Sequence, residues 1–434
     1  MSRLLTQQWQ ERLQDFDHLY VGYSGGLDST VLLTLLAACP LLQAKITAVH
    51  VHHGLSAHAD DWLAHCEDYT RRLNVAFVAE RVMIASTANL EERARQARYQ
   101  VFTNLLQENT ALVLAHHQED QAETVLLNIL RGAGVDGLSA MPEQRECGQG
   151  VLFRPLLHCA RALLQSYADL ESLVWIEDEM NASRDWSRTY LRHEVMPLLR
   201  ATWPDATARI AATAQHCQQA KRNLEVLAAH DLPHIQERTL HYTPALLADH
   251  DRFSNVLRLW LKTHLGQVPS ADHLQHIINN VIMAKEDATP CFRFERFSLY
   301  RYRQTLYLEE KNAEIAESYL WKTFPEPLSW SEHIMIQATP DQEGILIPKH
   351  ARIELRCRQG GERFRWHGQT KTVKALMQDW RIPPWQRQNI PLLYVNDVLI
   401  SIVGYAISDF CLSGEVGERY TIKLTSKEPL FRAS

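Results

Sequence analysis

Between residues 18 and 130, short β-rich runs alternate four times with segments of helical period, and this alternation constrains the fold more than any other feature. Residues 18–23, 45–52, 75–82 and 111–115 read as strands, and residues 29–38, 59–73, 90–106 and 121–130 read as the helices that follow them. A helical crossover returns the chain parallel to the strand it left, so the pattern predicts a mainly parallel, doubly wound sheet covered on both faces. Ligands in such sheets bind beyond the carboxyl ends of the strands. The residues that follow each strand are therefore the first candidates for chemistry.

Ser24-Gly25-Gly26-Leu27-Asp28-Ser29-Thr30 joins the first strand to the first helix. Two glycines let backbone approach an anion, the amides of the turn and helix start point at it, and the hydroxyls of Ser24, Ser29 and Thr30 add donors. This is a phosphate cradle. A Walker loop carries a lysine after its glycines; none stands here, so the countercharge must come from a metal, and Asp28 is placed to hold Mg²⁺. Gly, Ser and Asp also suit a plain strand-to-helix turn, but the whole string in this position favours phosphate. His50-Val51-His52-His53-Gly54-Leu55 follows the second strand, and His116-His117-Gln118-Glu119-Asp120-Gln121-Ala122-Glu123-Thr124 follows the fourth, so both face the same crevice.

The loop string resembles the signature of the PP-loop, or N-type, ATP pyrophosphatases, which split ATP to AMP and pyrophosphate and adenylate a substrate. That resemblance implies ATP held by Ser24, Gly25, Gly26, Leu27, Asp28 and Ser29, with Mg²⁺ on Asp28. The later strings Arg131-Gly132-Ala133-Gly134, Gly137-Leu138-Ser139-Ala140-Met141, Arg154-Pro155-Leu156-Leu157 and Trp175-Ile176-Glu177-Asp178-Glu179-Met180-Asn181 are similar, in that order, to the tRNA(Ile)-lysidine synthetase family. Gly360-Gly361-Glu362-Arg363-Phe364, the stretch 371–374 and Ile382-Pro383-Pro384-Trp385 resemble its C-terminal tRNA-binding domain, which extends the resemblance over almost the full chain.

The family resemblance implies adenylation of the wobble cytidine of tRNA(Ile) with a CAU anticodon, then attack by the side-chain amine of L-lysine. It places Asp28, Glu119, Asp120 and Arg188 in catalysis. Glu119, Asp120 and Glu123 form an acidic cluster suited to an ammonium, a metal or both, and one of them can accept the proton the amine loses. Acids there also simply favour a helix start. Arg131, Arg154, Arg188 and Arg192 are candidates to neutralise phosphate, while His53 and His117 suit strand capping equally well. In residues 90–99 arginines share a helix face; the family has a comparable string beside its active site, and a solvated face fits as well. The chain departs from the family at Glu119-Asp120, where two aspartates are usual, and at Arg188-Thr189-Tyr190-Leu191-Arg192, where the second position is usually Asn. The first change leaves open which carboxylate handles lysine.

A chain of 434 residues has room for about three domains. The texture places them at 1–204, a PP-loop type α/β domain, at 205–325, a linker helix and mainly helical tRNA-binding domain, and at 326–434, an α+β tRNA-binding domain. Residues 321–348, with several prolines and little periodicity, mark the second boundary. A net charge of −6 excludes a histone-like coating of basic surface. Charge is nonetheless concentrated: residues 291–303 hold four arginines against one glutamate, and residues 351–390 hold nine basic residues against three acidic ones. The first patch reads as a hairpin with an aromatic core face and a basic solvated face.

A tRNA sulfurtransferase on the same fold is the enzyme rival, and a noncatalytic tRNA-binding protein the rival of another class. The eight cysteines are scattered without a C-x-x-C pair, which disfavours the first and suggests mostly buried thiols. Asp28 and the acidic cluster disfavour the second. The first twenty residues lack an apolar core of signal-peptide type, and no apolar run is long enough for a bilayer. The expectation is a cytoplasmic protein with no membrane partner and no oligomeric state specified by pattern.

Overall fold

The computed structural model describes residues 4–54, 58–83, 90–177, 187–285, 288–310, 317–331, 334–409 and 417–426. Its Cα packing separates two compact units, Met1–Leu227 and Ala228–Ser434.

The first unit runs α1 (Gln7–Gln14), β1 (His18–Gly22), α2 (Leu27–Ala37), α3 (Pro40–Gln43), β2 (Ile46–His52), α4 (Ala59–Arg72), β3 (Ala76–Arg81), α5 (Leu90–Leu105), β4 (Thr110–Val113) and α6 (Gln118–Leu130). It continues with α7 (Val135–Leu138), β5 (Gln144–Cys147), β6 (Gly150–Phe153), α8 (Arg161–Leu170), α9 (Ser187–Tyr190), a π-helical turn at Leu191–Val195, α10 (Met196–Thr202) and α11 (Ala206–Asp231), whose last four residues belong to the second unit. The strands form one sheet in the order β3-β2-β1-β4-β6-β5, parallel except for β5. Leu19 of β1 sits in register with Ile46 of β2 on one side and Ala111 of β4 on the other. The chain thus leaves β1 in one direction and returns in the other. The reversal opens a crevice between the carboxyl ends of β1 and β4.

All seven residues of β2 are buried, as a strand covered on both faces must be. One apolar cluster gathers Leu19, Val21, Leu32, Leu36 and Phe153; the other gathers Val49, Phe102, Leu112 and Leu152. Each such side chain contributes about 1.5–3 kcal/mol by leaving water, so Leu36→Ala in this packing costs about 2–5 kcal/mol. The β5–β6 hairpin was not legible from periodicity. Its strands are four residues each, and only the glycines at its turn announce it.

The second unit begins with β7 (Thr239–His241), α12 (Pro244–Ala248), α13 (His250–Leu265), α14 (Ala271–Ile277), a π-helical turn at Ile278–Ile282, β8 (Cys291–Arg293), β9 (Phe297–Tyr302) and β10 (Thr305–Glu310). These strands form a sheet of order β7-β10-β9-β8, whose inner face packs with Trp260, Phe253 and Leu257 of α13. Next come β11 (Ser318–Leu320), β12 (Leu328–Ser329), β13 (Ile334–Pro348), β14 (Ile353–Arg356), β15 (Arg363–Trp366), β16 (Gln369–Thr372), α15 (Val373–Asp379), β17 (Leu392–Val395), β18 (Val398–Ile402), β19 (Ala406–Ile407) and β20 (Gly417–Ser426). A five-stranded sheet runs β11-β14-β17-β18-β19, and β13 pairs with β12 and β20. The turn between β17 and β18 is made by Asn396 and Asp397, both at positive φ, as a two-residue hairpin demands.

The expectation of little regular structure over 321–348 is corrected here: fifteen of those residues are strand β13, antiparallel to β20 with a register break between Pro340 and Ile345. Trp385 joins parts of this unit that are far apart in sequence. It stacks on Tyr300 at 4.4 Å, and its Nε1 donates to Glu309 at 2.7 Å, where Gln386 also donates at 2.6 Å.

Candidate active site

The loop after β1 is held from within. Gly25 lies at φ +82°, and a Cβ there would meet Ile176 Cδ1 at 2.6 Å and Cys66 Sγ at 2.9 Å, so a side chain is excluded on both counts. The Ile176 amide donates to Gly25 O at 2.9 Å. Ser29 Oγ donates to Gly26 O at 3.0 Å and lies 3.1 Å from Ser24 Oγ. Thr30 is fully buried and donates to Gly25 O at 3.3 Å, which corrects its reading as a phosphate donor: it shapes the loop. Gly26 caps α2, so the free amides of its first turn face outward beside Asp28.

Asp28 meets the other strand-end motif through His117. The His117 ring is 2% exposed; its Nε2 lies 3.5 Å from Asp28 Oδ2 and 3.4 Å from Asp120 Oδ2, and its Nδ1 lies 3.2 Å from Glu119 Oε2. Burial favours the neutral ring, but the carboxylates of Asp120, Asp28 and Glu119 around it outweigh that and lift the pKa to about 10. His117 is thus an imidazolium tying the cradle to α6. Its neighbour His116 is the reverse: burial, with Arg154 nearby, lowers its pKa to about 3, and its neutral Nδ1 accepts from Arg154 Nε at 3.2 Å.

Beyond His117 the carboxylates already have cations. Glu123 is 1% exposed and accepts from Arg188 Nε at 3.2 Å, Arg192 Nε at 2.6 Å and Arg192 Nη2 at 2.9 Å. Asp120 accepts from Arg192 Nη2 at 3.1 Å and from the His117 amide at 3.1 Å. Burial would raise the Asp120 pKa, yet His117, Arg188 and Arg192 hold it at about 2. Glu119 accepts from the Arg161 amide at 2.9 Å, and Arg161 Nε lies 3.5 Å from Asp28 Oδ1. Four carboxylates therefore face four cations in one crevice. The substituted Thr189 is 9% exposed and points away from solvent, so the Asn amide of the family pattern has no counterpart there.

Sequence reasoning missed Arg161 and Gln121. Arg161 opens α8, where a cation opposes the helix dipole, and that misfit was the available signal. Gln121 is 1% exposed and exchanges hydrogen bonds with both the N–H and the C=O of Met141, fixing the first turn of α6. Arg131 is corrected as a phosphate ligand: it caps the far end of α6, about 12 to 18 Å along the helix from Glu123 and Glu119. Arg154 is buried beneath the crevice, and its Nη1 donates to Pro142 O at 2.8 Å. His53 is half-buried, its pKa lowered to about 4 by burial and by Arg98. Leu55 and Asp178 to Asn181 lie outside the described residues.

Asp28 Oδ1 is buried with no hydrogen-bond partner, which suits a cation ligand. No group of three His, Cys, Asp or Glu side chains among the described residues makes a complete metal shell. A magnesium ion typically completes such a partial shell with phosphate oxygens and water, so the residues fit Mg²⁺ arriving with a nucleotide.

The basic patches are more selective than their composition. Arg301 is 5% exposed and donates to the carbonyls of Val281, Ala284 and Lys285, so it caps a helix end and is removed from any RNA surface. Arg387 is buried and donates to Ile382 O. Arg352 and Arg356 pair with Glu354, and Lys371 pairs with Asp379. Arg358, Arg363, Arg365, Lys374 and Arg381 remain; Arg363 and Arg365 are exposed on one face of β15, with Phe364 buried between them. Among the described cysteines, Cys39, Cys66 and Cys147 are buried and Cys291 is exposed, all as free thiols. Cys411 lies outside the described residues.

A PP-loop domain model matches residues 1–199, a TilS substrate binding domain model matches 246–307 and a TilS substrate C-terminal domain model matches 353–422. A tRNA(Ile)-lysidine synthase of Legionella pneumophila (strain Lens) is 46% identical over 423 residues, 96% of this chain and 98% of that protein. Those of Coxiella burnetii (strain RSA 493 / Nine Mile phase I) and Pseudomonas syringae pv. tomato (strain ATCC BAA-871 / DC3000) are 40% and 38% identical, over 90% and 93% of this chain and 89% and 91% of theirs.

Proposed function

The chain belongs to the tRNA(Ile)-lysidine synthase family, and from that premise we propose that its first unit uses ATP to join L-lysine to the wobble cytidine of tRNA(Ile) with a CAU anticodon. The cytosine carbonyl oxygen attacks the α-phosphorus and releases pyrophosphate; the lysine side-chain amine then displaces AMP. Supporting the reading above all is His117, which draws Asp28 of the cradle and Glu119 and Asp120 of α6 within 3.5 Å of one ring. Nucleotide and amine chemistry thus share one crevice.

In this reading Ser24, Gly25, Gly26, Leu27, Asp28 and Ser29 surround the triphosphate, and Asp28 holds the Mg²⁺. The ion, when bound, offsets phosphate charge that the loop lacks a lysine to meet. The crevice is already balanced in charge, so a substrate carrying both signs suits it. Lysine offers its carboxylate to Arg188 and Arg192 and its ammonium to Glu119 or Asp120, one of which takes the proton before attack. Arg363 and Arg365 meet tRNA phosphates, the organisation is three domains at 1–204, 205–325 and 326–434, and the cytoplasm is the place of action. Among the described residues no helix is long and apolar enough to cross a membrane.

The test is pyrophosphate release and labelled lysine incorporation on defined transcripts. Release should require tRNA(Ile) with CAU, and incorporation should require lysine. A sulfurtransferase ignores lysine, and a noncatalytic binder releases nothing.

A further inference from the structure

On the flank of the first unit, a cavity of about 350 Å³ opens between α5 and the β5–β6 hairpin, with Arg95, Tyr99, Thr103, Arg145, Glu146 and Gly148 in its lining. Gly148, at φ +58°, turns the hairpin hard against α5; a Cβ there would sit 2.9 Å from Thr103 O. Helix α5 follows a parallel strand and so starts at the rim that carries the crevice. Arg95 lies two turns nearer that rim than Thr103. Gln144 and Arg145 pair with Phe153 and Leu152 at the same end of the sheet, whereas Cys147 pairs with Gly150 at the other. The groove therefore runs from the crevice rim down the side of the sheet.

Its chemistry centres on one phenol and three guanidiniums. The Cζ of Arg95 and that of Arg145 lie 5.3 and 5.0 Å from the Tyr99 ring centroid. The charges of Arg145 and Arg154 act on the Tyr99 phenol, and Arg154 is fixed below by Pro142 O and His116. Burial would raise the Tyr99 pKa, but Arg154, Arg95 and Arg145 hold it below its ordinary value, a mark of strong positive potential. Neither Arg95 nor Arg145 has an ion pair with a described residue. With guanidiniums already against the ring, the groove offers planar donor forks, the geometry that phosphate takes.

We propose that this groove is a phosphate site in which Arg95 and Arg145 hold a backbone phosphate of the RNA substrate as it approaches the crevice, an inference that rests on the tRNA-modifying reading above. Tyr99 and Arg154 are positioning residues that aim the two forks.

The experiment compares the full chain with R95A/R145A and R95K/R145K. Filter binding of tRNA(Ile) is run across a salt series, with thermal melting and ATP binding as controls of folding. The alanine pair should weaken tRNA binding about tenfold and make the slope of log affinity against log salt shallower by about one to two. At saturating tRNA, kcat and the KM for lysine should stay at their original values, since neither arginine touches the reacting atoms. The lysine pair should recover the slope but only part of the affinity, because an ammonium cannot fork. Calorimetry with inorganic phosphate alone separates the sources: phosphate binding lost in the alanine pair with tRNA affinity intact would assign the site to a free phosphate and overturn the proposal. Unchanged tRNA affinity and slope would overturn it outright. If the original chain transfers no lysine, the reading of its function fails, while tRNA binding still decides the groove.

Discussion

Glu123 is the most confined charge in the crevice, and its removal has a calculable cost. Its carboxylate accepts three charge-assisted hydrogen bonds from two arginines and is 2% exposed, while the Arg188 and Arg192 side chains are 25% and 37% exposed. Breaking a buried pair by deleting one partner costs about 3–5 kcal/mol. Water reaches both guanidiniums and takes up part of the loss, which sets the expectation for Glu123→Ala at about 3 kcal/mol. For a unit of this size about 2–4 °C of melting temperature follows each kcal/mol, giving a fall of about 6–12 °C. Calorimetric melting measures it, with the first unit's transition identified by its upward shift in ATP. Glu123→Gln retains one acceptor but turns an amide N–H toward the arginines, so its loss should be about half as large. A double-mutant cycle with Arg192→Ala should return a coupling of about 1.5–3 kcal/mol. A Glu123→Ala protein melting within about 2 °C of the original, or a cycle additive to within about 0.5 kcal/mol, would refute the argument that this carboxylate organises the two arginines.

Asp28→Asn should leave the melting temperature nearly unchanged and remove most tRNA-dependent AMP formation; near-normal rates at saturating Mg²⁺ would reject Asp28 as the metal ligand. Glu119→Ala and Asp120→Ala, made separately, should divide the roles left open by the family departure: the lysine-handling residue raises the KM for lysine more than that for ATP, and if both change only the ATP requirement, lysine is held elsewhere. Charge reversal of Arg363 and Arg365 together should weaken tRNA binding and flatten its salt slope with ATP binding unaffected, and an unchanged slope would make β15 a merely solvated face. Glu309, whose carboxyl burial raises above the ordinary range, stays protonated in the fold when the unfolded chain has already lost that proton. Second-unit stability should therefore fall as pH rises from the ordinary glutamate range through the raised pKa. Glu309→Gln should remove that fall in a melting series from about pH 4 to about pH 8, and an identical pH profile in both proteins would show that Glu309 ionises freely.

What the chain revealed in advance follows the range of the forces involved. The strand, turn and helix around Gly25 were legible because Gly25, Asp28 and the apolar residues of β1 and α2 act within about ten residues of one another. Strand β13 was not, since its partner β20 lies some eighty residues further on and Pro340 breaks the alternation where the register shifts. Arg301 read as surface charge because composition cannot show three helix-end carbonyls converging on one guanidinium. His117 was undervalued for the same reason: a histidine before a helix is ordinary until tertiary packing brings Asp28 to its other nitrogen.

The pairing of β13 with β20 also bears on how the protein is made. Ile334 is matched with Ser426 and Pro348 with Gly417, so a fifteen-residue strand emerges from the ribosome long before the segment that satisfies its amides. During that interval only the two residues of β12 cover part of it. At synthesis rates of about 5–20 residues per second the exposed edge persists for several seconds, open to the same segment on a neighbouring nascent chain. A premature stop codon between Pro348 and Gly417 makes that interval permanent. Such truncations should be lost to aggregation even though they spare every described residue of the crevice after β1 and β4.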